Sequence, residues 1–281
     1  MEKKLILRGL LAGGLGGLLA FLFARVFAEP QIQAAIDYES GREEAQEALD
    51  QAAGVQVEGH EHEVFSRALQ GNLGIGVGMV LFGIAMGALF AVVYTVSLGR
   101  VGQVRARVLA LLVAGGGFLS LYLVPFLKYP ANPPAIGNGD TIGTRSALYL
   151  VMVAASVIFL VVAVVVGRTL SQRLGAWNAT LVGGLVFALL AGILMALLPS
   201  LGHLSVNVAQ FGEQATETPL PLRNTQGDIV YPGFPADTLA NFRLYSVLAQ
   251  VVLWATIGLV FGPLAERVLG GGKRAEVLAE V

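Results

Sequence analysis

The stretch VEGHEHEVFSR, residues 57–67, places His60 and His62 two positions apart, alternating with Glu61 and Glu63. In an extended chain both imidazoles face one way and both carboxylates the other. Two imidazoles can then ligate one divalent ion, with a carboxylate completing the set. That donor mixture suits first-row ions such as Co²⁺, Ni²⁺ and Zn²⁺ rather than Cu(I). The competing reading is an acidic loop in water that contains two imidazoles. His203, in LPSLGHLS, is the only other histidine. It is either a further ligand or a lone histidine making a capping or interfacial contact. Glu29 and Asp140 are the carboxylate candidates. Glu29 stands four residues after Arg25, a spacing that allows an i, i+4 pair. Enzyme chemistry finds little footing. There is no cysteine, hence no thiolate ligand or nucleophile. His60-Glu61-His62 has the wrong spacing for an HExxH zinc motif, and no Walker A sequence exists. The expectation is no enzyme, no tightly bound cofactor and no nucleic-acid partner, since no basic cluster is interleaved with aromatics.

The elements that must position these residues are apolar. The 281-residue chain is 55% hydrophobic and 13% charged, about half the charge of an ordinary soluble domain. A helix crosses the hydrocarbon core with about 20 apolar residues. Six runs qualify, at roughly 6–27, 71–97, 108–127, 146–167, 177–198 and 242–265. None alternates as the strands of a membrane barrel do, so all six are read as helices. Eleven of the 18 basic residues fall at the N-terminus (Lys3, Lys4, Arg8), in two short connections (Arg100, Arg105, Arg107; Arg168, Arg173) and at the C-terminus (Arg267, Lys273, Arg274). Fifteen of the 19 acidic residues fall in the segments between. The bias places both termini in the cytoplasm.

The resulting expectation is an all-α integral membrane protein, one membrane domain over 1–281. Its six transmembrane helices form three consecutive helical hairpins, with extracytoplasmic loops at 28–70, 128–145 and 199–241. The basic start of the first run and Val26-Phe27-Ala28 resemble a signal peptide. The run is longer than a signal peptide's apolar core, and Gly9, Gly13 and Gly17 put small residues on one face for another helix to approach. It is read as a retained span. Segment 34–53, acidic and alanine-rich, is expected to form an exposed helix.

Each even helix opens with an arginine in a similar setting: Arg67 in SRALQ, Arg145 in TRSALY and Arg243 in FRLYS. An internal repeat with a functional arginine ring is one reading. Interfacial anchoring in membrane lipid is the other. Gln250 lies mid-span in the sixth run. It lines a path or hydrogen-bonds between helices, as do Gln70 and Asn72 at the start of the second.

KYPANPPAIGNGDTIGTRSALYL (128–150), with FARVFAEPQIQAAIDYE (23–39) and FPADTLANFRLYSVLAQVVLW (234–254), resembles the CbtA family of predicted cobalt transporter subunits. Tyr129-Pro130, Pro133-Pro134, Arg145 and Glu29-Pro30 carry the likeness, which runs in order along nearly the whole chain. The resemblance implies a multi-pass protein of the bacterial inner membrane and Co²⁺ as the transported ion, linked to cobalamin synthesis. It also implies a small single-span partner, CbtB, with a histidine-rich motif. The family is described with five spans, one fewer than the six runs counted here. It assigns no metal ligands in this chain, and a homo-oligomer is left open.

Pro130, Pro133 and Pro134 restrict the backbone, and Gly137-Asn138-Gly139 permit a tight turn. This loop is read either as a cover over the outer mouth, with Asp140 and Glu29 offering carboxylates to an entering cation, or as a rigid cap. The first functional reading is a membrane subunit of a divalent-cation (cobalt) uptake system supplying cobalamin synthesis. The alternative is a non-transporting scaffold or assembly subunit of a larger membrane complex. A membrane enzyme acting on a lipid head group is a third.

Overall fold

The computed structural model of the chain describes residues 2–55, 70–102 and 104–279. His60, His62 and Arg67 lie outside the described residues. The helices are α1 (Glu2–Phe27), α2 (Glu29–Ala52), α3 (Ile75–Ser97), α4 (Ala106–Gly117), α5 (Val124–Lys128), α6 (Ile142–Leu197), α7 (Ser205–Phe211) and α8 (Ala236–Ala279). Two short strands, β1 (Leu222–Arg223) and β2 (Ile229–Tyr231), pair antiparallel. Five helical segments are long and apolar enough to cross a membrane: Glu2–Phe27, Gly71–Ser97, Ala106–Lys128, Gly139–Phe211 and Ala236–Gly270. The fourth contains Gly175, whose φ of 75° and ψ of 160° are not helical. Only glycine adopts that backbone readily, so α6 divides there into two stretches that hold the fourth and fifth apolar runs.

The chain forms two compact units. Unit one holds α1, α3, α4 and the length of α8 from Tyr245 onward. Its helices meet backbone to backbone. A Cβ on Gly13 would strike the Gly83 carbonyl, one on Gly9 the Gly87 carbonyl and one on Gly17 the Met79 carbonyl. As the α1 number rises the α3 number falls, so the two helices run antiparallel. The expected glycine face of the first run thus has its partner. α4 and α8 are antiparallel by the same test. Gly117 lies under the Trp254 ring, Gly258 against Ala114 and Gly262 against Arg107. Arg107 Nε then meets Glu266 Oε2 at 2.6 Å. Phe261 meets Phe90 and Tyr94 edge-on, its ring centroid 4.9 and 4.8 Å from theirs, and all three are buried. In lipid, where apolar burial does not distinguish a neighbouring helix from acyl chains, such close packing is the main source of attraction.

Unit two holds α2 beyond Glu29 and the chain from Ser120 to Leu244. The two stretches of α6 fold back on each other at Gly175, Gly183 lying against the Ala163 carbonyl and Gly167 against that of Ala179. Pro125 has no N–H to offer the preceding turn, and the chain winds as a wider π turn over Phe118–Leu123. The carbonyl of Ser120 accepts a hydrogen bond from the buried Ser156 hydroxyl of α6.

α2 is the helix expected over 34–53, and it is longer, starting at Glu29. Glu29 and Pro30 suit a helix start, the carboxylate for the dipole and the proline for its fixed φ. The helix ends at Gly54 (φ 75°), where Val55 N–H reaches Asp50 O and Gly54 N–H reaches Gln51 O, a Schellman closure. One face of α2 is buried. Ala35 and Tyr38 pack with Ile136 and Phe234, and the Tyr38 hydroxyl donates to Pro232 O at 3.0 Å. The segment 199–241 carries α7, the β1–β2 pair and the start of α8.

Candidate functional site

A polar cluster in unit two lies where the proline-rich segment meets the chain around α7. Asn138 shapes it. Its side-chain oxygen accepts from Asp140 N–H at 3.0 Å, starting the 3-10 turn Gly139–Thr141. Its amide nitrogen gives one hydrogen to Asn207 Oδ1 (2.9 Å) and one to Gln210 Oε1 (2.6 Å). Asn207, almost fully buried, uses both of its own donors, on Leu201 O and on Glu217 Oε1, each at 2.7 Å. Gln210 donates to Asp140 Oδ2 at 2.9 Å. Each amide in the chain of bonds both gives and takes, which fixes its orientation.

Glu217 is the charged centre. Its side chain is 2% exposed, and the Arg145 guanidinium lies 3.2 Å from Oε2. Thr141 Oγ1 adds a 2.6 Å bond to Oε1. A carboxylate this deep needs both the opposite charge and the hydrogen bonds. Gly137 makes the approach feasible. Its φ of 128° favours glycine, and a Cβ there would collide with the Arg145 guanidinium.

The residues singled out from sequence fall as follows. Asp140 and Arg145 belong to this one cluster. Arg145 Nη2 also lies 3.4 Å from Asn138 O. Arg243 donates to Asn132 Oδ1 (2.8 Å) and Ala131 O (3.3 Å). Both described arginines of the expected ring thus hold the proline-rich segment. Tyr129 anchors the same segment through Pro199 O at 2.8 Å, and burial pushes its phenol pKa up, so it stays a neutral donor. His203 is exposed and bonds Ser200 Oγ through Nδ1 at 2.9 Å, a local contact within its own turn. Glu29 opens α2. Arg25 reaches Asn72 Oδ1 at 2.8 Å in unit one, and Gln250 is half-buried in α8. Among the described residues no three His, Cys, Asp or Glu side chains gather as a metal centre.

Sequence reasoning missed Glu217, Asn207 and Gln210. Glu217 sits in GEQATETPLPL, a polar stretch with no periodicity to mark it, and its partners come from segments far along the chain. The glycine after Ile136 was the available signal, since a glycine that must stay open marks a side chain passing over it.

The chain matches, over residues 2–266, the family model described as "Probable cobalt transporter subunit (CbtA)", and it belongs to that family. No curated protein and no solved structure matches it.

Proposed function

We propose that this CbtA-family chain is the membrane-embedded subunit of a Co²⁺ uptake system of the bacterial inner membrane that supplies cobalamin synthesis. It works with a small single-span, histidine-bearing partner. The observation that carries the reading is the family match along nearly the whole chain, joined to the run of apolar helices. Six spans in three hairpins, with both termini in the cytoplasm, agree with the break at Gly175 and with the basic-residue bias. The segments 28–70, 128–145 and 199–241 then lie on the outer side. His60 and His62 collect the ion there, and Glu29 and Asp140 draw it inward by charge. A dehydrated divalent ion needs six or so donors, and the partner's histidines complete the set. The glycine-packed helices form the scaffold across the bilayer.

Uptake of labelled Co²⁺ into proteoliposomes, with and without the single-span partner, tests this. Flux above protein-free vesicles when both are present is expected. No metal-dependent flux in either case leaves the scaffold reading in its place. His60→Ala with His62→Ala should weaken uptake at low Co²⁺; unchanged uptake removes those histidines from the path.

A further inference from the structure

Arg145 and Arg243 stand at the starts of apolar runs, yet their partners are unequal. Arg145 faces the Glu217 carboxylate. Arg243 faces neutral oxygens, Asn132 Oδ1 at 2.8 Å and Ala131 O at 3.3 Å, and no described carboxylate pairs with it. It is half-buried. Neutral acceptors satisfy hydrogens but leave the charge in place, and a cation drawn partly out of water gains from a counter-charge. The two bonds occupy two of the five guanidinium N–H donors. The others remain available to an anion.

Lys128 adds a second cation within unit two. It is the last residue of the spanning segment Ala106–Lys128 and stands just ahead of Ala131 in the chain. Its ammonium lies 5.8 Å from the Tyr129 ring centroid and forms no ion pair among the described residues. Apolar side chains flank both cations. Leu127 precedes Lys128, Leu244 follows Arg243, and both leucines are exposed. Each belongs to a helix able to cross the membrane, where an exposed leucine meets acyl chains and a long basic side chain beside it reaches to the head groups. A phosphate fits this pair, since guanidinium and ammonium both bind it through charge-assisted bonds. Two cations without an acid favour a head group of net negative charge. A choline head group brings a further cation to the same place.

We infer that Lys128 and Arg243 bind the phosphate of an anionic phospholipid, whose acyl chains lie on Leu127 and Leu244. The inference rests on the chain being a multi-pass membrane protein and not on the ion it carries.

The test is native mass spectrometry of the full-length protein in nonionic detergent, counting lipid retained from phosphatidylglycerol and phosphatidylcholine of equal chain length. Phosphatidylglycerol should bind about tenfold more tightly or better. Lys128→Gln with Arg243→Gln should bring it to the level of phosphatidylcholine. Arg168→Gln with Arg173→Gln removes two exposed cations from the turn of α6 and should leave the preference in place. Inorganic phosphate should not displace the lipid, because it lacks the chains. Four results each overturn the proposal: equal retention of the two lipids, as expected if the cations await a partner protein's carboxylate; a preference untouched in the Lys128→Gln, Arg243→Gln protein; an equal loss in the Arg168→Gln, Arg173→Gln protein; or displacement by inorganic phosphate, which assigns the cations to the free ion. Arg243→Gln also removes bonds to the proline-rich segment. Lys128→Gln alone spares them and should still weaken phosphatidylglycerol about fivefold, so misfolding of the double variant leaves the test decisive. Co²⁺ flux enters none of these readings, so their failure is distinct from failure of the cobalt reading.

Discussion

The α1–α3 contact of unit one and the Glu217 cluster of unit two are positioned by opposite means. In the first, side chains are removed so that backbones touch: Gly9, Gly13 and Gly17 meet Gly83 and Gly87. In the second, the side chains of Thr141, Asn207 and Arg145 reach one buried carboxylate, and Asn138 and Gln210 brace Asn207 and Asp140 around it. The difference follows from the surroundings. An apolar helix face in lipid gains by approach and has few polar groups to satisfy. An irregular segment has unpaired backbone and polar side chains, and must satisfy them in place. The first kind of contact is therefore sensitive to volume, and the second to hydrogen-bond chemistry and charge.

Added volume in unit one should give the largest effect. Gly13→Leu forces α1 off α3, and the expected loss is about 3 kcal/mol or more, beyond ordinary overpacking because the obstacle is backbone. Gly184→Leu, on an α6 face with nothing within 4 Å of an added Cβ, should be near neutral. Thermal unfolding and size-exclusion profiles in detergent compare the two. Equal behaviour of the pair would remove the backbone-contact account.

Next comes charge in unit two. Glu217→Ala leaves Arg145, itself a quarter exposed, without its buried counter-charge, an effect at the low end for a buried pair, about 3 kcal/mol. Hydrogen exchange should rise over 138–145 and 201–217 while the α1–α3 amides keep their protection. Loosening in both units alike would contradict a cluster that acts locally.

A smaller step is Ser156→Ala. It removes the donor to the Ser120 carbonyl in the π turn, for about 0.5–1.5 kcal/mol. Hydrogen exchange of the Phe118–Lys128 amides reads it, and unchanged exchange there would show that the turn stands without the bond.

The smallest effect is electrostatic and depends on pH. Burial first, and the neighbouring Glu43 charge second, raise the Glu39 carboxyl above its ordinary value, against the lowering hydrogen bond from Ala135 N–H. The folded chain therefore holds this proton more tightly than the unfolded one. Its contribution to stability is present below the ordinary value of 4.5 and is lost as pH rises through the folded value. Glu39→Gln should raise the melting temperature slightly at pH 7, with the gain vanishing near pH 4. A gain of the same size at both pH values would assign the effect to something other than charge.

Legibility differed along the same line. The apolar runs were readable because lipid demands an unbroken stretch of one character, and the observed helices contain all six. The four-residue spacing on α1 announced close approach, though not that Gly83 and Gly87 would receive it. Asn138 between two glycines announced the turn. The face of α2 that packs on Phe234, the role of Asn207 and the burial of Glu217 had no local mark. Arg145 and Arg243 stood out by position, and their bonds to the proline-rich segment became visible only with the coordinates.

By itself, then, the sequence determined a chain built of apolar helices, where those helices lie and which family the chain resembles. Hydropathy and helix punctuation act over a few neighbouring residues, and a linear reading captures them. The tertiary structure alone decided which glycine faces which, that α6 turns back at Gly175, and that Glu217 meets Arg145. Those pairings join segments far apart in the chain. Their energy depends on distances and burial that no local pattern encodes.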